Sequence, residues 1–481
     1  MENNLNFSTK EDFLSMIQTC FTFDLMNRIF IERFILSISV ICCLHCLSIG
    51  QESIELYFTQ PIYSQFQKPE FPQIHTGGDA VKQRTIDMIN EAHFTLDVCM
   101  YNASDIDIII ALMKASDRGV RVRYITDDNT SNSAIKRSLP FPVLYSSKGD
   151  GIMHNKFMVA DAYVSNLSIV MAGSMNWTAS GEYADANNIF FIKQNELALA
   201  FTKEFDEMWG SSGDQPTSAA LSGNQKKDNT PHEFVISGIP VELYFSPSDG
   251  NEQKIDDALR SAQYSVDFGM YTFTSDGLSD ELLNLHSEGV DIHGIVDNFG
   301  SSDRVFYKLK NQGIDVIDHT PETLLHHKYC IIDAGEESSD PIVVTGSYNW
   351  TYSASTINDE YSLIIHDNEI SLFFQAEFMS RYCDLVPTAC DLAATNKWIS
   401  NAVEAHSLIT SGEAHLDIDD NLSAIFSVTV FSITGQPVLF KRFEQTGQKT
   451  IELDFTSLPP NTYLALINDG KQYKLYKIIK I

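Results

Sequence analysis

The stretch Met153-His154-Asn155-Lys156-Phe157-Met158-Val159-Ala160-Asp161 decides the fold, because it returns as Leu325-His326-His327-Lys328-Tyr329-Cys330-Ile331-Ile332-Asp333. A second phrase follows each copy: Gly173-Ser174-Met175-Asn176-Trp177, then Gly346-Ser347-Tyr348-Asn349-Trp350. The apolar runs 157–160 and 329–332 predict buried strands. Side chains two apart on a strand share a face. His154 and Lys156 therefore point one way, as do His326 and Lys328. Asp161 and Asp333 have the opposite parity at the strand ends, which makes them poor partners for any atom the histidines touch. Ser174 with Asn176, and Ser347 with Asn349, again share a face, and Gly173 and Gly346 leave room for close backbone approach.

One imidazole, one ammonium, one hydroxyl and one carboxamide per copy suit a phosphate group. Lysine supplies charge to non-bridging oxygens, serine and asparagine supply directed donors, and histidine can attack or carry a proton near neutral pH. A lone histidine is commonly a satisfied core residue; the recurrence of the whole constellation weighs against that here.

The repeat extends outward. Ile54-Glu55-Leu56-Tyr57-Phe58-Thr59 returns as Val241-Glu242-Leu243-Tyr244-Phe245-Ser246, and Thr95-Leu96-Asp97-Val98-Cys99-Met100-Tyr101 as Ser265-Val266-Asp267-Phe268-Gly269-Met270-Tyr271. Helices over 106–118 and 278–287, capped by Gly119 and Gly289, lead to strands 120–127 and 290–297. A variable loop, the two motif strands and closing helices 195–209 and 368–382 complete each half. Alternating strands and helices predict a layered α/β domain, present twice.

The paired phrases resemble the His-Lys-Asp signature of the phospholipase D superfamily, over roughly residues 54–383. The resemblance implies two α/β halves related by a pseudo-twofold, with both His-x-Lys rows in one cleft. It also implies metal-free phosphodiester chemistry through a covalent phosphohistidine, with no cofactor. His154, Lys156, Asp161, His326, Lys328 and Asp333 would be the catalytic set, and Ser174, Asn176, Ser347 and Asn349 the phosphate cradle. The family places an acid after the second phrase to orient a histidine. Glu360 fits that place, and the repeat-equivalent position is Asn187, with Glu182 and Asp185 nearby. The expected substrate is a phospholipid, preferred over a nucleic acid cut by a secreted endonuclease of the same chemistry; a non-catalytic surface binding protein is the third reading. The aromatics Tyr57, Phe58, Tyr63, Phe66 and Phe71 would contact lipid, stack bases or pack as core.

Composition bounds these readings. The formal net charge is −31, which repels nucleic acid and anionic membranes at long range, counts against a tight nucleic-acid binder and also serves solubility. Residues 34–50 are apolar, follow Arg28 and Arg33, and end in small residues, as in a secretory signal peptide. The leader 1–50 is then removed, with Met26 a candidate true start. Half 1 spans 51–210, a flexible linker 211–234, half 2 235–385 and a helical spacer 386–415. Residues 416–481 alternate in short strands and predict a small β-sandwich. That segment resembles the C-terminal sorting domain of type IX secretion, which implies outer-membrane secretion machinery as a partner and a secreted or cell-surface location reached through the periplasm. With both motifs in one chain, a monomer is expected. No Cys/His spacing fits zinc; in an exported chain Cys383 and Cys390 can form a disulfide.

Overall fold

Apolar runs build eight strands in the first half: β1 (Ser53–Phe58), β2 (His75–Thr76), β3 (Thr95–Met100), β4 (Arg121–Asp127), β5 (Val143–Ser146), β6 (Lys156–Ala160), β7 (Ile169–Gly173) and β8 (Asn188–Lys193). The second half repeats them as β9 (Glu233–Ile236), β10 (Ile239–Ser246), β11 (Ser265–Met270), β12 (Asp291–Val296), β13 (Asp315–Asp318), β14 (Lys328–Ile332), β15 (Ile342–Gly346) and β16 (Glu360–His366). The computed structural model describes residues 52–67, 74–146, 151–297, 299–336, 338–386, 406–417, 425–432, 437–444, 449–468 and 473–480. The leader with Met26, Phe71 and Cys390 lie outside them.

The two sheets share one order except at one edge, where β2 follows β1 and pairs with it parallel but β9 precedes β10 and pairs antiparallel. The first runs β2-β1-β8-β7-β6-β3-β4-β5, and the second, read from its other edge, β9-β10-β16-β15-β14-β11-β12-β13. In each, β3–β4–β5 or β11–β12–β13 is parallel and the motif strands pair antiparallel. Every residue of β6 and β14 is buried, as a strand covered on both faces requires. Met158 and Ala160 pack into the core with helices Gly78–Glu91 and Ile106–Asp117. Phe157, of opposite parity, faces Phe201 of the closing helix Asn195–Trp209.

That second face also meets the other half. Phe157, Phe201, Phe245 and Tyr361 form one aromatic cluster across the boundary. Phe58, Tyr329 and Phe374 form its repeat-related counterpart. Tyr361 Oη lies 3.1 Å from the Lys156 carbonyl and accepts from Gly173 N at 2.5 Å. Tyr57 and Phe58 are therefore core residues of β1, not a lipid-facing loop; of the aromatics singled out there, Tyr63 is exposed.

The sequence expectation fails in three other places. Residues 211–234 are not a loose linker: Ser222, Gly223 and Lys226 are buried, and a 3-10 turn forms at Gly223–Gln225. The variable loop of the second half holds a helix, Phe299–Asn311. The spacer is not helical where described after residue 386: it holds β17 (His406–Thr410) and the start of β18 (Glu413–Asp417). β17 pairs with residues seventy positions on, a tertiary contact that local propensity does not encode.

The chain divides into two compact units, Met1–Leu385 and Val386–Ile481. The second adds β19 (Ile425–Ser432), β20 (Pro437–Glu444), β21 (Thr450–Asp454), β22 (Thr462–Asn468) and β23 (Tyr473–Lys480). A five-stranded sheet, β17-β23-β22-β19-β20, and the β18-β21 pair share a core containing Leu416, Val428, Val430, Leu453, Ala465 and Ile478. This is the small β-sandwich. Cys383 is disulfide-bonded, whereas Cys99 and Cys330 are buried free thiols.

Candidate functional site

The two motif strands begin where β3, β4, β11 and β12 end. Open α/β sheets bind ligands at such carboxyl ends. Here the two halves exchange main chain. Met153 bridges Asp359 and Leu325 bridges Ala186, both in parallel sense. His154 N donates to the Asp359 carbonyl at 2.9 Å, and Ala186 N to the Leu324 carbonyl at 2.8 Å. Each motif is thus seated on the residue before the other half's orienting position.

His154 Nδ1 lies 2.7 Å from Glu360 Oε2, and His326 Nδ1 lies 2.9 Å from Asn187 Oδ1. The carboxamide of Asn187 is locked. Its Nδ2 donates to the Gly181 carbonyl at 3.0 Å, and Ser174 Oγ donates to its Oδ1 at 2.9 Å. Oδ1 must therefore accept from His326 Nδ1–H, which leaves Nε2 with its lone pair in the neutral ring. Ser174 so holds the orienter, and Ser347 Oγ accepts from Tyr361 N at 3.1 Å. Asn176 and Asn349 are half-buried, and each Oδ1 is buried without a protein partner.

The lysines curl back alike: Lys156 Nζ donates to the His154 carbonyl and Lys328 Nζ to the His326 carbonyl, each at 2.7 Å. Two residues that sequence reading passed over as strand ends complete the walls. The Tyr101 ring packs on His154 with centroids 4.8 Å apart and lies 5.0 Å from Lys156 Nζ. Tyr271 does the same at 5.0 Å from His326 and 4.8 Å from Lys328 Nζ. Their signal was available: each closes the repeated strand phrase that ends Met-Tyr, Met100-Tyr101 and Met270-Tyr271.

Burial of four basic groups together depresses all of them. Desolvation brings His154 down to about 4, with Glu360 opposing and Lys156 and Lys328 reinforcing. Lys156 falls to about 7, chiefly by burial. His326 and Lys328 fall well below their usual ranges, by burial and then by the neighbouring ammonium and imidazole charges. His154, Lys156, His326 and Lys328 lie near enough to influence one another's charge. An anion there reverses the penalty. Asp161 and Asp333 are not among these four. Each stands past the far end of its strand at φ 51°. Asp161 accepts the backbone N–H groups of His93, Phe94 and Thr95, and Asp333 those of Gln263, Tyr264 and Ser265, at 2.7–2.9 Å. Their membership of the expected catalytic set is corrected by that placement: they tie the helix–strand turn.

A buried set of four basic groups, whose carboxylate Glu360 is already engaged with His154, is suited to a tetrahedral anion rather than to a metal cation. Among the described residues, two groups bring three metal-ligand atoms within 4.8 Å, Asp228–His232–Asp249 and Glu413–His415–Glu452, and neither includes one of the four.

The family model described as "Cardiolipin synthase, PLD-like domain" matches residues 85–209 and again 255–382. The chain belongs to the phospholipase D superfamily. Its phosphodiesterase relatives include the mitochondrial cardiolipin hydrolase of Xenopus tropicalis, 32% identical over 155 residues, 31% of this chain and 70% of the relative. That of Chlamydomonas reinhardtii is 33% identical over 124 residues, 25% of this chain and 53% of the relative. Among solved structures, the phospholipase D family member Nuc from Salmonella typhimurium is 25% identical with a TM-score of 0.27, covering 30% of this chain and 93% of Nuc. Residues 410–481 match the secretion system C-terminal sorting domain, which marks the chain for export by type IX secretion to the surface or the medium. No helix among the described residues is long and apolar enough to cross a membrane.

Proposed function

We propose that this phospholipase D-superfamily chain is an exported phosphodiesterase that hydrolyses a phospholipid phosphodiester through a covalent phosphohistidine. The observation that carries the reading is the pair of buried imidazoles, each with a lysine beside it and an Nδ1 partner from the opposite half. Attack by Nε2 on phosphorus leaves a positively charged ring. Glu360 offers His154 a full negative charge to balance it, whereas Asn187 offers His326 only a dipole. His154 is therefore the nucleophile. His326 first takes up a proton at Nε2, which the bound phosphodiester anion makes favourable by offsetting its burial; with no carboxylate to retain that proton, it passes it to the departing alkoxide as the P–O bond breaks. It then removes a proton from water, whose oxygen displaces His154 from phosphorus. Lys156 and Lys328 hold the non-bridging oxygens, and Asn176 and Asn349 turn their carboxamides to the same group.

The cardiolipin-acting curated relatives support a lipid diester over nucleic acid, while the net charge of −31 repels nucleic acid and anionic lipid surfaces alike. A signal peptide at 34–50, passage through the periplasm and a monomeric state complete the proposal. Its test is turnover of cardiolipin, phosphatidylcholine, single-stranded DNA and RNA in parallel, with and without EDTA. Lipid hydrolysis insensitive to EDTA is expected. Cleavage of nucleic acid alone transfers the chemistry to a nuclease, and no turnover leaves a binding protein. The His326→Ala variant should accumulate a phosphorylated His154; an adduct in His154→Ala instead reverses the two roles.

A further inference from the structure

The joining segment 211–234 passes beneath the His154 side of the site and is anchored there by a buried cation. Lys226 pairs with Glu204 of the closing helix and with Asp359 Oδ1 at 3.1 Å, and donates to the Ser246 carbonyl at 2.8 Å. Gly223, at φ 53°, donates its N–H to the same Asp359 oxygen at 2.7 Å. A Cβ on Gly223 would stand 2.6 Å from the Ile357 carbonyl, so only glycine lets the segment approach this closely. Asp359 is the residue whose carbonyl accepts His154 N and whose N–H donates to the Ile152 carbonyl, both at 2.9 Å. Its neighbour Glu360 holds the His154 ring. One residue thus fixes the backbone of the histidine and the origin of its carboxylate partner.

The other side is built differently. Ala186 stands where Asp359 does, without a carboxylate, and the strand there is pinned by Thr59, whose hydroxyl donates to the Asp185 carbonyl at 2.7 Å and accepts from Asn187 N at 2.9 Å. A buried Lys–Glu–Asp cluster is costly to desolvate, and an apolar replacement commonly stabilises a fold as well. What the cluster adds at this place is geometry.

We propose that Lys226, acting through Asp359, is a positioning residue for the His154–Glu360 pair, so that the interdomain segment serves as a strap for one of the two histidines. The inference rests on the two-histidine phosphodiesterase reading. Its test uses the full chain, bis(p-nitrophenyl) phosphate as substrate, and ¹⁵N-histidine spectra with the His154 resonances assigned by their loss in His154→Asn. The double variant Lys226→Met/Glu204→Gln leaves Asp359 as the one charge of the Lys226–Glu204–Asp359 cluster. Asp359→Asn keeps the oxygen that accepts from Gly223, and Asp359→Ala removes it. The groups facing His154, namely Glu360, Lys156, Lys328 and Tyr101, are unchanged in all three.

The expected result is at least a tenfold fall in kcat per folded molecule for the double variant and for Asp359→Ala. KM stays within twofold, the His154 Nδ1–H resonance moves, His326 does not, and Asp359→Asn stays within threefold of wild type. Folded variants with wild-type kcat and an unmoved His154 signal overturn the proposal. Equal movement at both histidines also overturns it, since that reports general loosening. Failure of the wild type to turn over any phosphodiester refutes the functional reading instead, and the spectra still decide whether the strap holds His154.

Discussion

Replacing Lys156 with methionine should abolish turnover and yet stabilise the protein, and the second effect should depend on pH. Lys156 is 1% exposed, and burial lowers its ammonium from the usual 10.5 to about 7. Between those values the unfolded chain holds a proton that the folded chain releases, so stability rises with pH across that window. At pH 6 the penalty approaches an upper bound of about 5 kcal/mol, and at pH 9.5 it shrinks to about 1 kcal/mol. Methionine removes the penalty but also loses the hydrogen bond to the His154 carbonyl and the contact with Tyr101, together about 1–2 kcal/mol. The variant should therefore be more stable than wild type by roughly 3 kcal/mol at pH 6 and nearly equal to it at pH 9.5. Urea unfolding followed by tryptophan fluorescence reads this directly, since Trp177, Trp209 and Trp350 are buried in the same unit. A variant less stable than wild type by the same amount at both pH values would refute the argument that this pocket stores the desolvation of a cation for use on an anion.

Glu360→Gln should lower kcat by about a hundredfold, with His154, already at about 4, driven lower by loss of its carboxylate; histidine NMR titration checks the direction. Asp161→Ala and Asp333→Ala each orphan three backbone donors. They should cost about 2–4 kcal/mol in denaturant while leaving kcat per folded molecule unchanged. Tyr271→Phe keeps the ring over Lys328 and should retain kcat/KM, whereas Tyr271→Leu should lose about tenfold, consistent with a desolvated cation–π contact of roughly 1–2 kcal/mol.

The sequence carried the repeat, both strand pairs and the parity of the His-x-Lys rows, because a two-residue period and a buried apolar run are local properties. Closing helix Asn195–Trp209 is legible for the same reason, with Gly210 at φ 85° ending it. Lys226 was not legible. A Ser/Gly/Asn/Lys-rich stretch reads as solvated, and only the tertiary meeting of Glu204 and Asp359 gives its lysine a buried partner. Tyr101 and Tyr271 were visible as repeated letters, but their role depends on the pairing that seats each beside its motif, Tyr101 N on the Asn155 carbonyl at 3.0 Å and Tyr271 N on the His327 carbonyl at 2.8 Å. Asp161 and Asp333 show the reverse case. Their repetition invites a chemical role, whereas the positive φ and three accepted N–H groups assign them to the backbone.

The crossed orienting partners have a consequence for ancestry and for engineering. Were each half a separate, identical subunit, the group behind both histidines would be the same residue, and every change to it would strike both rings at once. Joining the copies in one chain released that constraint, so that an acid could stand behind one ring and an amide behind the other. Neither half, expressed alone, carries a complete pair.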